Sequence, residues 1–315
     1  MTKRKGQTGI ALITAIFVVA LAAIAAVSMI TSANVALHRT SNLQGSEQAE
    51  WYALSIESWV CSILQRNSAT LQRGYTSLGD PWARPITGFP IDHGVAAATL
   101  TDLQGRFNIN NFGALNPAPY MEQFQRLVAS IPALSGSNVT DLGPAIRDWI
   151  DFDSDPWAGV GAEDIYYMSL QTPYRTSNRL MKSPSELLAV RGMTPQVYEA
   201  LYPYITTLPT TSARININTA PLPVLESLSG ASGGGGGFSQ FIVERASNPA
   251  TSVQDAIARN VLPKDPNLTS FVGVSSNYFQ LQAAVDVDGV RMQLYSNIIW
   301  SSGGATVVSH SFNTD

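Results

Sequence analysis

The hydrophobic pattern of the chain begins with a long apolar run close to its start. Residues 3–5 are all basic, and no charged side chain occurs between Ile10 and Ile30. About 20 apolar residues suffice for a helix to cross the hydrocarbon core of a bilayer, and flanking basic residues stay on the cytoplasmic side. A secretory signal peptide has a shorter apolar core. The pattern therefore predicts a transmembrane helix over residues 10–32, with nearly everything after Ser32 on the far side of an inner membrane.

The apolar pattern continues beyond the membrane in the same predicted helix. Between Glu47 and Arg66, polar and acidic residues alternate with apolar residues that recur at three- and four-residue intervals. This spacing is typical of an amphipathic helix with one face against a globular body. We therefore expect one helix from about Ile10 to Arg66, half of it in lipid and half packed on a soluble domain.

The C-terminal end of the chain changes to a period of two, which is typical of strands. Strands are predicted over residues 278–285, 290–300 and 305–312, with tight turns between them. We expect an antiparallel meander that closes against the N-terminal helix and pairs with an earlier strand near residues 95–100. The stretch from about residue 116 to residue 271 is predicted to be all helical, which makes it an insertion within one α+β domain.

Two segments of this insertion follow a helix-hairpin-helix pattern. In the first, a serine N-cap opens a helix, Gly192 stops it, and Pro195 occupies the first position of the next helix. A second copy begins at Asn216. Such hairpins often bind the phosphates of nucleic acids, but the basic residues near the turn are few, namely Lys182 and Arg191. The pattern therefore favours protein scaffolding over DNA binding.

The composition of the chain bears on what it binds and on how its fold is stabilised. The formal net charge is −4 and the isoelectric point is near 5.4, which argues against a nucleic-acid partner because phosphate binding needs a concentrated basic surface. Cys61 is the single cysteine, so no disulfide can form within the chain. In an exported protein this leaves stability to packing or to a bound metal.

The densest candidate chemistry lies between Asp148 and Asp164. Asp151, Asp153 and Asp155 stand on alternate residues, so a looped backbone can turn them towards one centre. Calcium takes oxygen ligands in irregular geometry, and the absence of nearby histidine disfavours zinc or copper. Two other interpretations stay open. The segment is also compatible with a solvated loop whose carboxylates cap helices and turns, or with paired catalytic carboxylates in an apolar cleft.

The junction at Gly9 resembles the leader junction of type IV pilins and pseudopilins. In that family the prepilin peptidase, a membrane enzyme, cuts after the glycine and methylates the new N-terminus, which is here Ile10. Most members carry glutamate at the fifth mature position, where this chain has Thr14. An intramembrane carboxylate is costly unless it pairs with a neighbouring subunit's terminal amine, so its absence suits a subunit at a tip. An ordinary uncleaved signal anchor is the alternative.

Further motifs extend the resemblance over most of the chain, to the K-type minor pseudopilins of bacterial type II secretion (the GspK family). In chain order they are Trp82-Ala83-Arg84-Pro85, Gly105-Arg106-Phe107-Asn108-Ile109-Asn110, Asp148-Trp149-Ile150-Asp151-Phe152-Asp153, Gly161-Ala162-Glu163-Asp164, Pro173-Tyr174-Arg175 and Ile215-Asn216-Ile217-Asn218-Thr219-Ala220. The resemblance implies a long transmembrane helix packed on an antiparallel sheet, as in pilins, with a large helical insertion that binds calcium. The implied calcium ligands are Asp151, Asp153, Asp155, Glu163 and Asp164. Of these, Asp155 departs from the usual residue of the family.

We therefore predict a non-enzymatic minor pseudopilin of the type II secretion system, anchored once in the bacterial inner membrane with its globular part in the periplasm. With I- and J-type minor pseudopilins it would form the tip complex that initiates and caps the pseudopilus. The major pseudopilin, the secreted substrate and the outer-membrane channel are further candidate partners. The rival functions are a membrane-anchored DNA receptor and an anchored periplasmic hydrolase. The expected segments are a leader over 1–9, the membrane helix over 10–32, a pilin-like domain over 33–115 and 273–315, and the helical insertion over 116–272.

Overall fold

The structure is a computed structural model that describes residues 8–66, 68–135, 139–229 and 237–313. One helix dominates its N-terminal part, as predicted. This helix, α1, runs without a break from Thr8 to Arg66. Every residue from Ile10 to Gln44 is exposed, and within this part lies an apolar window with a mean hydropathy of 2.9. The described residues contain one helix, α1, that is long and apolar enough to cross a membrane.

The remaining elements follow in chain order, and helices separate the strands into three groups. The helices are α2 (Ser68–Gln72), α3 (Ala118–Ser130), α4 (Leu142–Ile150), α5 (Asp164–Met168), α6 (Pro195–Leu201), α7 (Leu222–Glu226), α8 (Phe238–Glu244) and α9 (Val253–Ala258). The strands are β1 (Ile86–Ile91), β2 (Gly94–Asp102), β3 (Phe107–Asn108), β4 (Ile205–Thr206), β5 (Ile215–Asn216), β6 (Val272–Gly273), β7 (Tyr278–Val287), β8 (Val290–Ser301) and β9 (Gly304–Phe312).

Five strands form one antiparallel sheet in the order β1-β2-β7-β8-β9. The predicted meander is therefore confirmed, and so is the pairing with the strand near residues 95–100, in which Ala98 lies opposite Ala283. Strand β1 is not predicted by the sequence pattern because Gly88 and Pro90 are typical of turns. Proline is tolerated at this position because β1 is an edge strand.

Helix α1 packs on one face of this sheet, against β7, β8 and β9. Burial begins at Gly45, where an added β-carbon would lie 2.9 Å from Val290 Cγ2. Beyond it, small and branched residues at intervals of three and four face the sheet; they are Ala49, Ala53, Ile56, Val60 and Leu64. The soluble half of α1 is thus the amphipathic helix that the spacing predicts.

The helices α3–α9 lie between β2 and β7 and share a core of their own. Phe107, Phe112 and Phe124 are fully or almost fully buried at its centre, with ring centroids 5.4–5.7 Å apart. Two short parallel pairings, β3 with β4 and β5 with β6, connect distant parts of this region. The stretch from about residue 116 to residue 271 is therefore helical but not all helical as predicted, because β4 and β5 lie within it and two residues are too few to show a strand period in the sequence. The predicted segment boundaries stay predictions. The run of five glycines over residues 233–237, a composition that predicts a flexible loop, lies outside the described residues except for Gly237.

A buried polar network joins the insertion to the sheet. Asn216, on β5, donates from Nδ2 to Thr76 Oγ1 (2.8 Å), to Ser276 Oγ (2.8 Å) and to Asp102 Oδ2 (3.1 Å). Asp102, at the end of β2, also accepts from Ser276 Oγ and from Thr219 Oγ1 at 2.5 and 2.6 Å. Burial raises the pKa of Asp102, and these hydrogen bonds lower it again in part. Because the network includes residues on both sides of the insertion, it holds the insertion against the end of the sheet.

Candidate functional site

Three of the predicted ligands meet where α4 ends. Asp151 is the C-cap of α4, Asp153 follows two residues later, and Glu163 is the N-cap of α5. Between Asp153 and Glu163 the chain turns back towards the end of α4. In this turn Ala158 and Gly159 have positive φ angles of 53° and 71°. One carboxylate oxygen from each of Asp151, Asp153 and Glu163 lies within 4.8 Å of the other two. We call this group the acidic centre.

A fourth carboxylate, Asp148, lies next to the acidic centre although it is not in the predicted ligand set. It is fully buried, and its Oδ1 accepts the Trp157 N–H at 3.0 Å. An added β-carbon on Gly161 would lie 1.8 Å from Asp148 Oδ2, so only glycine fits there. The spacing contained the signal, because residues three apart on a helix share a face and Asp148 precedes Asp151 by three.

The described residues supply too few hydrogen-bond donors and positive charges to balance the carboxylates of the acidic centre. Burial, followed by the charges of nearby aspartates, raises the pKa of Glu163 to about 7. Burial also raises the pKa of Asp151 to about 6, against the lowering effect of Arg147, whose Nε lies 3.1 Å from Asp151 Oδ2. Among the described residues, Asp148 Oδ2, Asp151 Oδ1 and Glu163 Oε1 are buried without a hydrogen-bond partner. Unpartnered buried carboxylate oxygens are costly, so the donor set fits a hard cation.

The other two predicted ligands are not brought into this group. Asp155 is exposed, and its backbone N–H donates to Asp153 Oδ1 at 3.0 Å. The Asp164 carboxylate accepts hydrogen bonds from the backbone and the hydroxyl of Thr176, both at 2.9 Å. These bonds lower the pKa of Asp164. The structure thus gathers three of the five residues, and the ligand set as a whole stays a prediction.

The aromatic residues near the acidic centre pack beneath it. Tyr167 is fully buried and Trp149 nearly so, and their rings meet edge to face with centroids 5.3 Å apart.

A serine, a histidine and a glutamate meet where α1 packs on the sheet. Ser296 and His310 are neighbours on β8 and β9, but the Ser296 hydroxyl donates to Glu57 Oε2. His310 Nδ1 lies 3.4 Å from the same oxygen. The Ser296 hydroxyl is therefore bonded to the carboxylate and not to the histidine.

The first predicted hairpin is present, and one of its two basic residues, Arg191, is bonded within the protein. A short 3₁₀ helix over Pro184–Ala189 is followed by Gly192 at φ 83° and by α6, whose N-terminus is capped by Thr194. The Arg191 guanidinium bonds to the Val160 carbonyl oxygen and lies 5.2 Å from the ring centroid of Tyr166. Arg191 is therefore engaged within the protein, which leaves Lys182 as the exposed basic residue of the pair.

The soluble half of α1 exposes a second apolar face. Trp51 is 71% exposed, and Trp59 is partly exposed with its ring centroid 5.5 Å from that of Phe89. Trp51 lies on the side of α1 away from the sheet, Trp59 lies on the flank of α1 beside β1, and Leu43 is exposed two turns before Trp51. Exposed tryptophans on a helix are typical of a surface that another helix covers. We call Leu43, Trp51 and Trp59 the helix stripe.

Comparison with known proteins gives consistent matches. Residues 105–210 match the family model of the type II secretion system (T2SS), protein K. The chain is 30% identical to the type II secretion system protein K of Aeromonas hydrophila, with 99% of both chains covered. It is 30% identical to that of Pseudomonas aeruginosa, covering 94% of this chain and 89% of the relative. A chain in the crystal structure of the GspK-GspI-GspJ complex of enterotoxigenic Escherichia coli superposes with a TM-score of 0.74 at 26% identity, covering 88% of this chain and 100% of that one.

Proposed function

The chain belongs to the type II secretion system protein K family and is a minor pseudopilin of that system, and from this premise we propose that it acts at the tip of the pseudopilus. Together with I- and J-type minor pseudopilins it would initiate and cap the fibre during protein secretion. The observation that carries this proposal is α1, which is apolar over a membrane's thickness at one end, packed on a sheet at the other, and still exposes the helix stripe. Pseudopilins are structural subunits, so we propose no catalytic role. Contacts with the major pseudopilin, secreted proteins or the outer-membrane channel stay predictions.

The anchor of the chain is a single membrane helix. We propose that it lies in the inner membrane with the globular part in the periplasm, because the basic residues 3–5 precede the apolar run and basic flanks stay in the cytoplasm. Those residues lie outside the described part of the chain. Thr14 donates its hydroxyl to the Ile10 and Ala11 carbonyl oxygens at 3.1 and 3.0 Å, so it is satisfied within its own helix. It offers no carboxylate to a neighbour's terminal amine, which supports a tip position.

Processing at Gly9 is testable on the native protein. We expect the prepilin peptidase to remove residues 1–9 and to methylate the amine of Ile10. Mass spectrometry of the protein purified from membranes should therefore show a chain that begins at N-methylated Ile10. Gly9→Leu should block cleavage, whereas Gly6→Leu serves as the matched control within the same leader. A native chain that still begins at Met1 would identify α1 as an uncleaved signal anchor.

The helix stripe is the surface that we propose for partner helices. Trp51→Glu places a charge in the centre of a predicted helix-helix contact. We expect it to raise the dissociation constant of the full-length chain for I- and J-type minor pseudopilins by about 30-fold or more, as for an interface hot spot worth at least 2 kcal/mol. Co-purification should show this as loss of the partners. The matched control is Val243→Glu, because Val243 is 78% exposed on α8 of the insertion and should leave the complex unchanged. Equal recovery of partners with both variants would remove the helix stripe from the interface.

We propose that the acidic centre binds structural calcium through Asp151, Asp153 and Glu163. Hard carboxylate oxygens are the ligands that calcium prefers, and irregular loops accommodate its geometry. The unpartnered buried oxygens of the centre support a cation there. Calcium would offset the burial and the repulsion that together raise the pKa of Glu163, and it would hold the end of α4 against the start of α5.

A further inference from the structure

The two edges of the five-stranded sheet differ in a way that concerns binding. Strand β1 is a poor template for another strand, because Pro90 has no N–H and Gly88 has a φ of 62°. Its register with β2 also shifts between Ile86 and Phe89. Prolines and irregularities at edge strands prevent unwanted pairing in natural sheets. The β1 edge is thus protected.

Strand β9 forms the opposite edge. Like β1 it has a register shift and a glycine with positive φ, Gly304 at its first residue, but it has no proline. Its nine residues, from Gly304 to Phe312, include no proline, lysine, arginine, aspartate or glutamate. Among the described residues, no strand lies beyond β9 in the sheet. Its pairing with β8 has one register shift, after which it continues regularly to Phe312. A long edge strand without charged residues is a template for pairing with another chain.

The register of β9 identifies backbone groups that face outwards. The Asn313 N–H donates to the Gln293 carbonyl oxygen of β8 at 2.8 Å. In an antiparallel pair, bonded and unbonded residues alternate along each strand. The N–H and C=O groups of Phe312 and His310 therefore point away from β8, at the spacing that an additional strand requires.

A cleft lies beside β9, on the face of the sheet opposite α1. It has a volume of about 830 Å³ and lies between the sheet, including Tyr295 and Ser309, and the insertion segments 180–185 and 206–209. Arg106 and the exposed Lys182 line it, and among the described residues no aspartate or glutamate does. The charged residues of the lining are therefore basic, although the whole chain carries a net charge of −4.

From these observations we propose that β9 pairs with an extended segment of another protein, which becomes the sixth strand of the sheet. Alternate side chains of this segment enter the cleft, where apolar ones meet the wall of the insertion and a carboxylate meets Lys182. Backbone pairing supplies affinity, and the pockets for alternate side chains supply specificity. Strand β9 of a second copy would not supply the carboxylate that meets Lys182, because its nine residues contain none. The surface is distinct from the helix stripe, so both can be occupied at once.

The test uses the full-length protein in lipid nanodiscs and, as probe, linear twelve-residue peptides displayed on phage. Selected peptides are expected to alternate apolar residues and to share a carboxylate. N-methylation at every second residue should abolish binding in one of the two alternating sets and leave it in the other, because only one edge of the added strand bonds to β9. Lys182→Glu should weaken binding at least tenfold, and replacing the peptide carboxylate by lysine should restore it.

The control is Lys264→Glu, which changes an exposed lysine outside the cleft and should leave peptide affinity unchanged. Failure to select any peptide would overturn the proposal. So would equal affinity for both N-methylated sets, which would indicate binding without strand pairing, or equal affinity for Lys182→Glu and the unchanged protein.

Discussion

Chelation of calcium with EGTA is expected to lower the melting temperature of the full-length protein by about 10 °C. A ligand present at about 1,000 times its dissociation constant stabilises the folded state by about 4 kcal/mol, and for domains of this size about 1 kcal/mol shifts the melting temperature by about 2–4 °C. The double variant Asp151→Ala with Asp153→Ala should melt at the same temperature with and without EGTA, because it removes two of the three carboxylates of the acidic centre. Circular dichroism of the protein in nanodiscs measures both effects.

The matched control for this experiment removes two other aspartates. Asp92→Ala with Asp141→Ala changes the net charge by the same amount at exposed positions away from the acidic centre. This variant should keep its sensitivity to EGTA. Adding magnesium should not restore the melting temperature, since magnesium demands nearly octahedral geometry and gives up its water reluctantly. If the unchanged protein melts at one temperature regardless of EGTA, the acidic centre is not a calcium site.

The second large effect is expected at Asn216, in the network between the insertion and the sheet. Asn216→Leu keeps the size of the side chain but removes the Nδ2 donor to Asp102, Thr76 and Ser276. Buried polar groups that lose their partners cost about 1–3 kcal/mol each, so we expect a loss of about 3 kcal/mol. Asn116→Leu, at an exposed asparagine, is the control and should cost less than about 0.5 kcal/mol. Urea unfolding of both variants followed by tryptophan fluorescence gives the comparison.

A small effect of Asn216→Leu would have a definite meaning. If it lowered stability no more than Asn116→Leu, Asp102 would have to find other donors, and the network would not hold the insertion in place. Thermal unfolding should also show whether the two cores separate. We expect the unchanged protein to unfold the insertion and the sheet in one transition and Asn216→Leu to divide that transition, because the network lies where the two cores meet.

The long helix and the C-terminal meander are predictable from the sequence because each depends on a local period. Apolar intervals of three and four residues predict the soluble half of α1, and alternation predicts β7, β8 and β9, which is what the structure has. Strand β1 escapes prediction because its Gly88 and Pro90 are turn residues by composition. Only its position at the edge of the sheet, which is a tertiary property, makes a strand acceptable there.

The sequence predicts that a cation site lies in this segment, but not which carboxylates form it. Alternate aspartates indicate a cation site, yet which carboxylates turn inwards depends on contacts that spacing does not contain. Asp164 is next to Glu163 in sequence but bonds to Thr176, twelve residues later. Asp148 lies beside the centre because Gly161 leaves room for its carboxylate. Likewise, Asn216 is recognisable as the start of a second hairpin, but its place in the polar network follows from partners 60 to 140 residues away.

The unbroken course of α1 has a mechanical consequence. Its 59 residues span about 90 Å at about 1.5 Å per residue, without a proline that could act as a joint. A rod of this length works as a lever: a tilt of about 10° inside the bilayer displaces its far end sideways by about 15 Å. Because the sheet packs on the C-terminal half of α1, the globular part of the protein moves with the helix. A change in the tilt of the membrane helix during elongation of a filament would therefore displace the globular part sideways.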